Sequence, residues 1–175
     1  GKMITRDNPP IQGKQSLAKG SSIALVSPVE FATSSWRRAV LELEEHQKAW
    51  LLWCYGGNIC WEHQIAITQW GWSEFKTQSG SRKIAVKTLE RVKKLIWLAA
   101  QDVRGWVTGC EVYQRQELAR LCGVKPDNWS HNYANYWREM CDIFKRLDRE
   151  SLICSVKIRA QQKATFSRRD IAKVN

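Results

Sequence analysis

Little in this chain is suited to a membrane, an extracellular disulfide scaffold or a nucleotide-binding enzyme. No stretch approaches the roughly 20 apolar residues that span a bilayer, and the first residues lack the apolar core of a secretory signal. The expectation is therefore a protein of the cytoplasm with no membrane partner. There is no glycine-rich phosphate loop of the Walker or Rossmann type. Six cysteines (54, 60, 110, 122, 141 and 154) include no CxxC pair and sit in apolar helical contexts. They read as free, buried thiols of a reducing compartment. Cys54, Cys60 and His63 are of zinc-ligating types, but their spacing is not that of a ribbon or finger and a fourth ligand is missing. His46, His63 and His131 have no cysteine or serine context that suggests a nucleophile. Glu42, Glu44 and Glu45 point different ways around a helix, so a solvated face or a contact for a basic partner is expected there. Neither catalysis nor a metal or other cofactor is expected.

Proline is scarce, and three of the four lie at Pro9, Pro10 and Pro28. Together with three glycines and many small polar residues they mark residues 1–34 as an irregular arm. What the chain does have is positive charge and aromatic bulk. Lysine and arginine number 28 against 17 acidic residues, a formal charge of +11 with a pI of about 9.6. Such a balance favours polyanions, because each neutralised phosphate releases condensed counterions; a lysine-solubilised surface is the competing reading. Ten tryptophans, four tyrosines and four phenylalanines supply a core, and 175 residues suit one domain.

Hydrophobic periodicity predicts an all-α fold, a compact helical bundle of about five helices over residues 35–154, followed by a basic tail at 155–175. The first helix carries Trp36, Ala39, Val40, Leu43, Gln47, Trp50 and Cys54 on one stripe, with Arg38 and Glu42 as an exposed i,i+4 pair, and stops at Gly56-Gly57-Asn58. The second, about 59–76, has Trp61, Ile65, Thr68, Trp72 and Phe75 as its inner stripe, and Gly71 weakens it. The third, about 82–104, repeats Ala85, Leu89, Val92, Ile96, Ala99 and Val103 as a packing seam. Lys83, Lys87, Arg91 and Lys94 fall opposite that seam. Trp36, Trp50, Trp61, Trp72 and Trp129 are expected in the core. Trp53, Trp97 and Trp106 lie off the stripes, open to a partner or to a thick core.

Residues 113–138 predict a helix-turn-helix. A short helix ends at Gly123, which supplies the left-handed turn residue, Ala119 permits close approach, and Pro126 opens the next helix. Leu118, Cys122, Val124 and Trp129 take core positions, while Lys125 is a poor N-cap. The second helix has Trp129, Tyr133, Tyr136, Met140, Ile143 and Leu147 as its inner stripe. Its outer face and the turn offer Lys125, Asn128, Ser130, His131, Asn135 and Arg138 for DNA. Asparagine suits an adenine edge and arginine a guanine edge; a solvated bundle face is the plain alternative. Phosphate or RNA contacts are expected at Lys83, Lys87, Arg91 and Lys94, and at Arg168 and Arg169 in the tail.

Several segments resemble a known family. Ser34-Ser-Trp-Arg-Arg-Ala39, Glu45-His-Gln-Lys-Ala-Trp-Leu51, Cys54-Tyr-Gly56, Glu62-His-Gln64, Trp97-Leu-Ala-Ala-Gln-Asp-Val103 and Asn128-Trp129 through Trp137 are similar, in order and spacing, to the late-gene antitermination Q proteins of lambdoid bacteriophages. The resemblance spans residues 34–150 and leaves both arms uncovered. Without the cysteine pairs of the lambda type, it looks closer to the zinc-free branch typified by phage 21. The resemblance implies a phage protein in a bacterial host that binds a double-stranded DNA element at the late promoter. It implies engagement of paused RNA polymerase and its sigma factor, and read-through of pauses and terminators by reshaping the exit channel of the nascent RNA. An ordinary helix-turn-helix repressor, dimeric on a palindromic operator, is the alternative.

Overall fold

The computed structural model describes residues 33–57, 59–110 and 112–174, and all regular structure among them is helical. The arm expected over 1–34 lies outside them apart from Thr33 and Ser34. The helices are α1 (Ser34–Leu41), α2 (Glu45–Cys54), α3 (Trp61–Gln78), α4 (Val86–Thr108), α5 (Arg115–Cys122) and α6 (Ala134–Val174). A single α-turn, Pro126–Asn128, and a π-helical stretch, Trp129–Tyr133, lead into α6, with right-handed helical backbone at both junctions.

The expected first helix is two helices. Glu44 takes an extended conformation and forms a reciprocal capping box with Gln47, which starts α2 afresh. That box satisfies amide groups an uninterrupted helix would have paired internally. The stripe survives the break, since Trp36, Ala39, Val40, Leu43, Trp50 and Cys54 are all buried. Glu42 turns to Gln162 of α6, away from the expected pairing with Arg38.

In α3 the inner face is rotated from the expected stripe and shares only its end, buried Phe75 and half-buried Trp72. His63, Ile67, Gly71 and Phe75 are buried at strict i,i+4 spacing, whereas Trp61 is 68% exposed and Ile65 lies at the surface. Gly71 decides the rotation. A Cβ there would sit 2.5 Å from Cζ of Phe144, so the glycine is where α3 presses against α6. The seam of α4 is as expected through Val92, Ile96, Ala99 and Val103, although the helix starts at Val86, not near Arg82. Arg82 is drawn out to Glu139 of α6 by two bonds of 2.9 and 2.6 Å.

The centre of the core is aromatic with one buried polar knot. Trp50 stacks on Phe144 at 5.7 Å, and Trp53 packs on Trp97 at 4.8 Å. Trp50 Nε1–H and the Tyr55 hydroxyl donate to the same oxygen, Oδ1 of buried Asp148, at 3.0 and 2.7 Å. Burial raises the Asp148 pKa above its ordinary value, and the two bonds pull it back only in part. Trp61, expected in the core, is at the surface, and Trp53 takes the thick-core alternative. Arg104 of α4 covers the Trp53 ring at 4.8 Å. All six cysteines are free; Cys54 and Cys141 are buried, while Cys110, expected inside, is exposed. Residues 155–174 continue α6 as helix. There Arg159 lies over Trp36 at 4.8 Å and donates to Ser35 at 3.0 Å, and Gln162 reaches the Arg38 carbonyl at 3.3 Å. No helix among the described residues is long and apolar enough to cross a membrane.

Candidate nucleic-acid interface

The interface grows out of how α5 ends. Gly123 has φ +81°, its N–H bonds the Arg120 carbonyl at 3.1 Å, and the Val124 N–H reaches back to Ala119 at 3.0 Å. These two bonds form a Schellman closure, which turns the chain sharply and satisfies the last carbonyls of the helix. Nothing lies within 4 Å of a Cβ built on Gly123, so glycine is needed for its backbone angle and not for space. Lys125 follows in an extended conformation and Pro126 begins the next helical turn. Leu118, Ala119, Trp129 and Tyr133 bury the inner side of this pair.

The π-helical stretch affects both faces of the second helix. Its wider turn brings residues four apart closer to register than an α-helix does. On the inner side the Trp129 and Tyr133 rings lie nearly parallel, 6.4 Å apart. On the outer side the i,i+4 pairs close on each other. His131 Nδ1 lies 2.8 Å from the Asp127 carbonyl, and Asn132 donates to Asn128 Oδ1 at 2.6 Å. The His131 contact makes Nδ1 the donor, which leaves Nε2 pointing away as an acceptor in the neutral ring. One turn on, Arg138 bonds the Asn135 amide oxygen. Asn135, His131 and Arg138 are exposed and Asn128 is partly so.

The sequence-predicted residues separate into three places. Asn128, His131, Asn135 and Arg138 share one outward face at helical spacing. Ser130, also exposed, stands beside that row and its hydroxyl accepts from Arg115 at the start of α5, at 3.3 Å. Lys125 is exposed at the turn. Beside the turn stand two cations of α4. Arg91 donates to the Tyr133 hydroxyl at 3.3 Å, and Arg91 and Lys94 both lie close enough to the Cys122 thiol to oppose the rise that burial imposes on its pKa. Lys87 lies one turn before Arg91, and Lys83 precedes the helix; both are exposed. Arg168 and Arg169 are exposed on α6, roughly 50 Å from Asn135 at 1.5 Å per residue.

Two contributors escaped the sequence reading. Arg115 clamps the two helices together, and Tyr133, assigned to the core, also holds a cation with its hydroxyl. Arg115 opens a short polar helix, which was a usable signal. The Arg91–Tyr133 contact joins residues 42 apart, and nothing local announces it. Among the described residues no group of three or more His, Cys, Asp and Glu is placed to hold a metal ion. The Cys54 thiol is pushed well up by burial and by Asp148, which disfavours the thiolate a metal would need.

The family model described as phage antitermination protein Q matches residues 1–172. The chain is similar to "Antitermination protein Q" of Enterobacteria phage 82, with 64% identity over 175 residues, covering 100% of this chain and 76% of that protein. No solved structure matches the chain.

Proposed function

The chain belongs to the phage antitermination protein Q family, a transcription-regulatory family, and from that premise we propose how it works. It binds a double-stranded DNA element at the phage late promoter through the α5–turn–Pro126 unit. From there it loads onto paused, sigma-containing RNA polymerase in the bacterial host cytoplasm and carries the enzyme through pauses and terminators by narrowing the path of the nascent RNA. The observation that carries the DNA part is the convergence of two groups distant in sequence. An outward row of Asn128, His131, Asn135 and Arg138 stands on one helix, and Arg91 and Lys94 flank the turn that introduces it. Polar side chains that read base edges and cations that meet phosphates are the two parts such an interface needs.

Their roles divide accordingly. Arg138 and the asparagines supply readout, Lys125, Lys87, Arg91 and Lys94 supply phosphate contacts, and Lys83 extends that basic run. Arg168 and Arg169, at the far end of α6, are available to RNA while the other end holds DNA. The test is transcription from a late promoter through a terminator, with purified RNA polymerase holoenzyme and this protein. Read-through is expected, and it should fall when Asn135→Ala and Arg138→Ala are combined on a template that carries the promoter element. Silencing of the promoter would favour a repressor instead, and unchanged termination with wild-type protein would defeat the proposal.

A further inference from the structure

Helix α3 carries a second apolar stripe whose first part, Trp61 and Ile65, the fold leaves exposed, while Thr68 is partly buried and Trp72 packs on the core. Trp61, Ile65, Thr68 and Trp72 recur at spacings of four, three and four, about 16 Å along the helix, and Ile59 extends the row and is 70% exposed. At its far end the stripe runs into a cleft between α3 and α4, with a volume of about 270 Å³. Thr68, Gln69, Trp72, Lys76, Lys93 and Ile96 line it. Lys76 and Lys93 are exposed, and neither is paired with a carboxylate among the described residues. Exposed apolar anchors at one end of the helix, and at the other two cations free of carboxylate partners, match the way an amphipathic helix is held.

We propose that this face of α3 docks a helical segment of RNA polymerase holoenzyme that is apolar on one side and acidic at one end. The carboxylates would meet Lys76 and Lys93, and the apolar side chains would cover Ile59, Trp61 and Ile65. Single-stranded RNA fits the same surface poorly. The Trp72 ring is partly buried, stacks on Phe75 at 5.4 Å and has Lys93 Nζ over it at 5.9 Å, which leaves little of it for a base. Trp61 stands between Ile59 and Ile65, and its sequence neighbours, Cys60 and Glu62, carry no positive charge to hold a phosphate. A second copy of the chain is opposed by a charge of +11 on each. The cleft is also smaller than the sites that take drug-sized ligands.

The inference rests on the reading that the protein engages polymerase, and one experiment separates the two. Full-length wild type, Trp61→Ala/Ile65→Ser and Lys76→Glu/Lys93→Glu are titrated against purified RNA polymerase holoenzyme, late-promoter duplex DNA and an oligouridine RNA. The apolar variant should bind polymerase about tenfold or more weakly. The charge-reversal variant should do likewise, with slower association and an altered salt dependence. The melting temperatures of both variants, and the DNA and RNA affinities of the apolar variant, should stay at wild-type values, because the substituted residues lie at the surface. The charge-reversal variant, four charges less basic, should lose some affinity for DNA and RNA alike but less than for polymerase. If one double variant fails to fold, the other decides. Wild type that does not bind polymerase defeats the functional reading and this inference with it. Wild-type binding that neither variant changes, or a loss confined to oligouridine, overturns this inference alone.

Discussion

Replacing Gly71 with alanine tests the packing of α3 on α6 most directly. On helix propensity alone the change should help, by about 1 kcal/mol. The tertiary contact argues the other way. The new methyl would stand 2.5 Å from Cζ and 2.8 Å from Cε1 of Phe144, where carbon atoms pack at about 3.5–4.0 Å. Some group must therefore move by about 1 Å. Phe144 has no room, since it is fully buried and stacked within 6° of parallel on Trp50, and Trp50 is tied to Asp148. Overpacking a wedged site costs about 1–3 kcal/mol, and the upper end applies when the neighbour is held on its far side. Subtracting the propensity gain leaves a net loss of about 2 kcal/mol, or a melting temperature lower by about 4–8 °C for a chain of this length. Urea and thermal unfolding followed by circular dichroism would measure it. In the Phe144→Leu background the same change should cost at least about 1 kcal/mol less, because the clashing ring edge is gone. If Gly71→Ala proves as stable as wild type, the close approach of α3 to α6 is wrong.

Gly123→Ala should cost about 1–2 kcal/mol through its positive φ alone. Gly123→Asn should cost less, because asparagine tolerates that region, and equal losses in the unfolding midpoints would contradict a purely backbone cause. Burial raises the pKa of Asp148 in the fold above its ordinary 3.8, so its contribution to stability is full below that value and is lost as pH rises through the raised pKa. Asp148→Asn keeps an oxygen for both Trp50 and Tyr55 but cannot ionise; its stability relative to wild type should therefore climb as pH rises above about 4, as urea unfolding from pH 4 to 8 would show, and a flat difference would refute the assignment. Asp148→Leu should instead lose about 2 kcal/mol or more by stranding two buried donors. Lys94→Gln and Arg91→Gln should each lower the salt slope of DNA binding by about 0.9 without changing sequence preference, whereas Asn135→Ala should relax preference at one base position by about 1–3 kcal/mol; filter-binding titrations across salt concentrations and operator variants separate the two effects.

Much of the fold could be read directly. The seam of α4 and the inner row from Trp129 to Leu147 repeat often enough to be legible. Val92, Ile96, Ala99 and Val103 are buried, as is the whole inner row except half-buried Tyr136, while Ala85 and Leu89 at the start of the seam are exposed and half-buried. Residues 113–129 carry their turn chemistry locally, in Gly123 and Pro126, so the closing of α5 was legible too. The break between α1 and α2 was harder to see. A capping box at Glu44 and Gln47 competes with an unbroken apolar stripe, and the stripe is the louder signal. Of the candidate interface, the outward row of asparagine, histidine and arginine was visible as one helix face, but the bond from Arg115 to Ser130 was not, because Arg115 lies in another helix.

By itself, the sequence determined the helical class, the basic character and the short-range turns, because periodicity, charge and turn residues act within a few positions of one another. Tertiary structure alone decided which of two apolar faces α3 would bury. Both His63–Ile67–Gly71–Phe75 and Trp61–Ile65–Thr68–Trp72 run at helical spacing, and only the close fit of Gly71 on Phe144 selects the first. The same packing brings Arg91 and Lys94 to the turn after α5 and leaves Trp61 at the surface. Contacts across 42 or more residues depend on shape complementarity between helices, which no local pattern encodes.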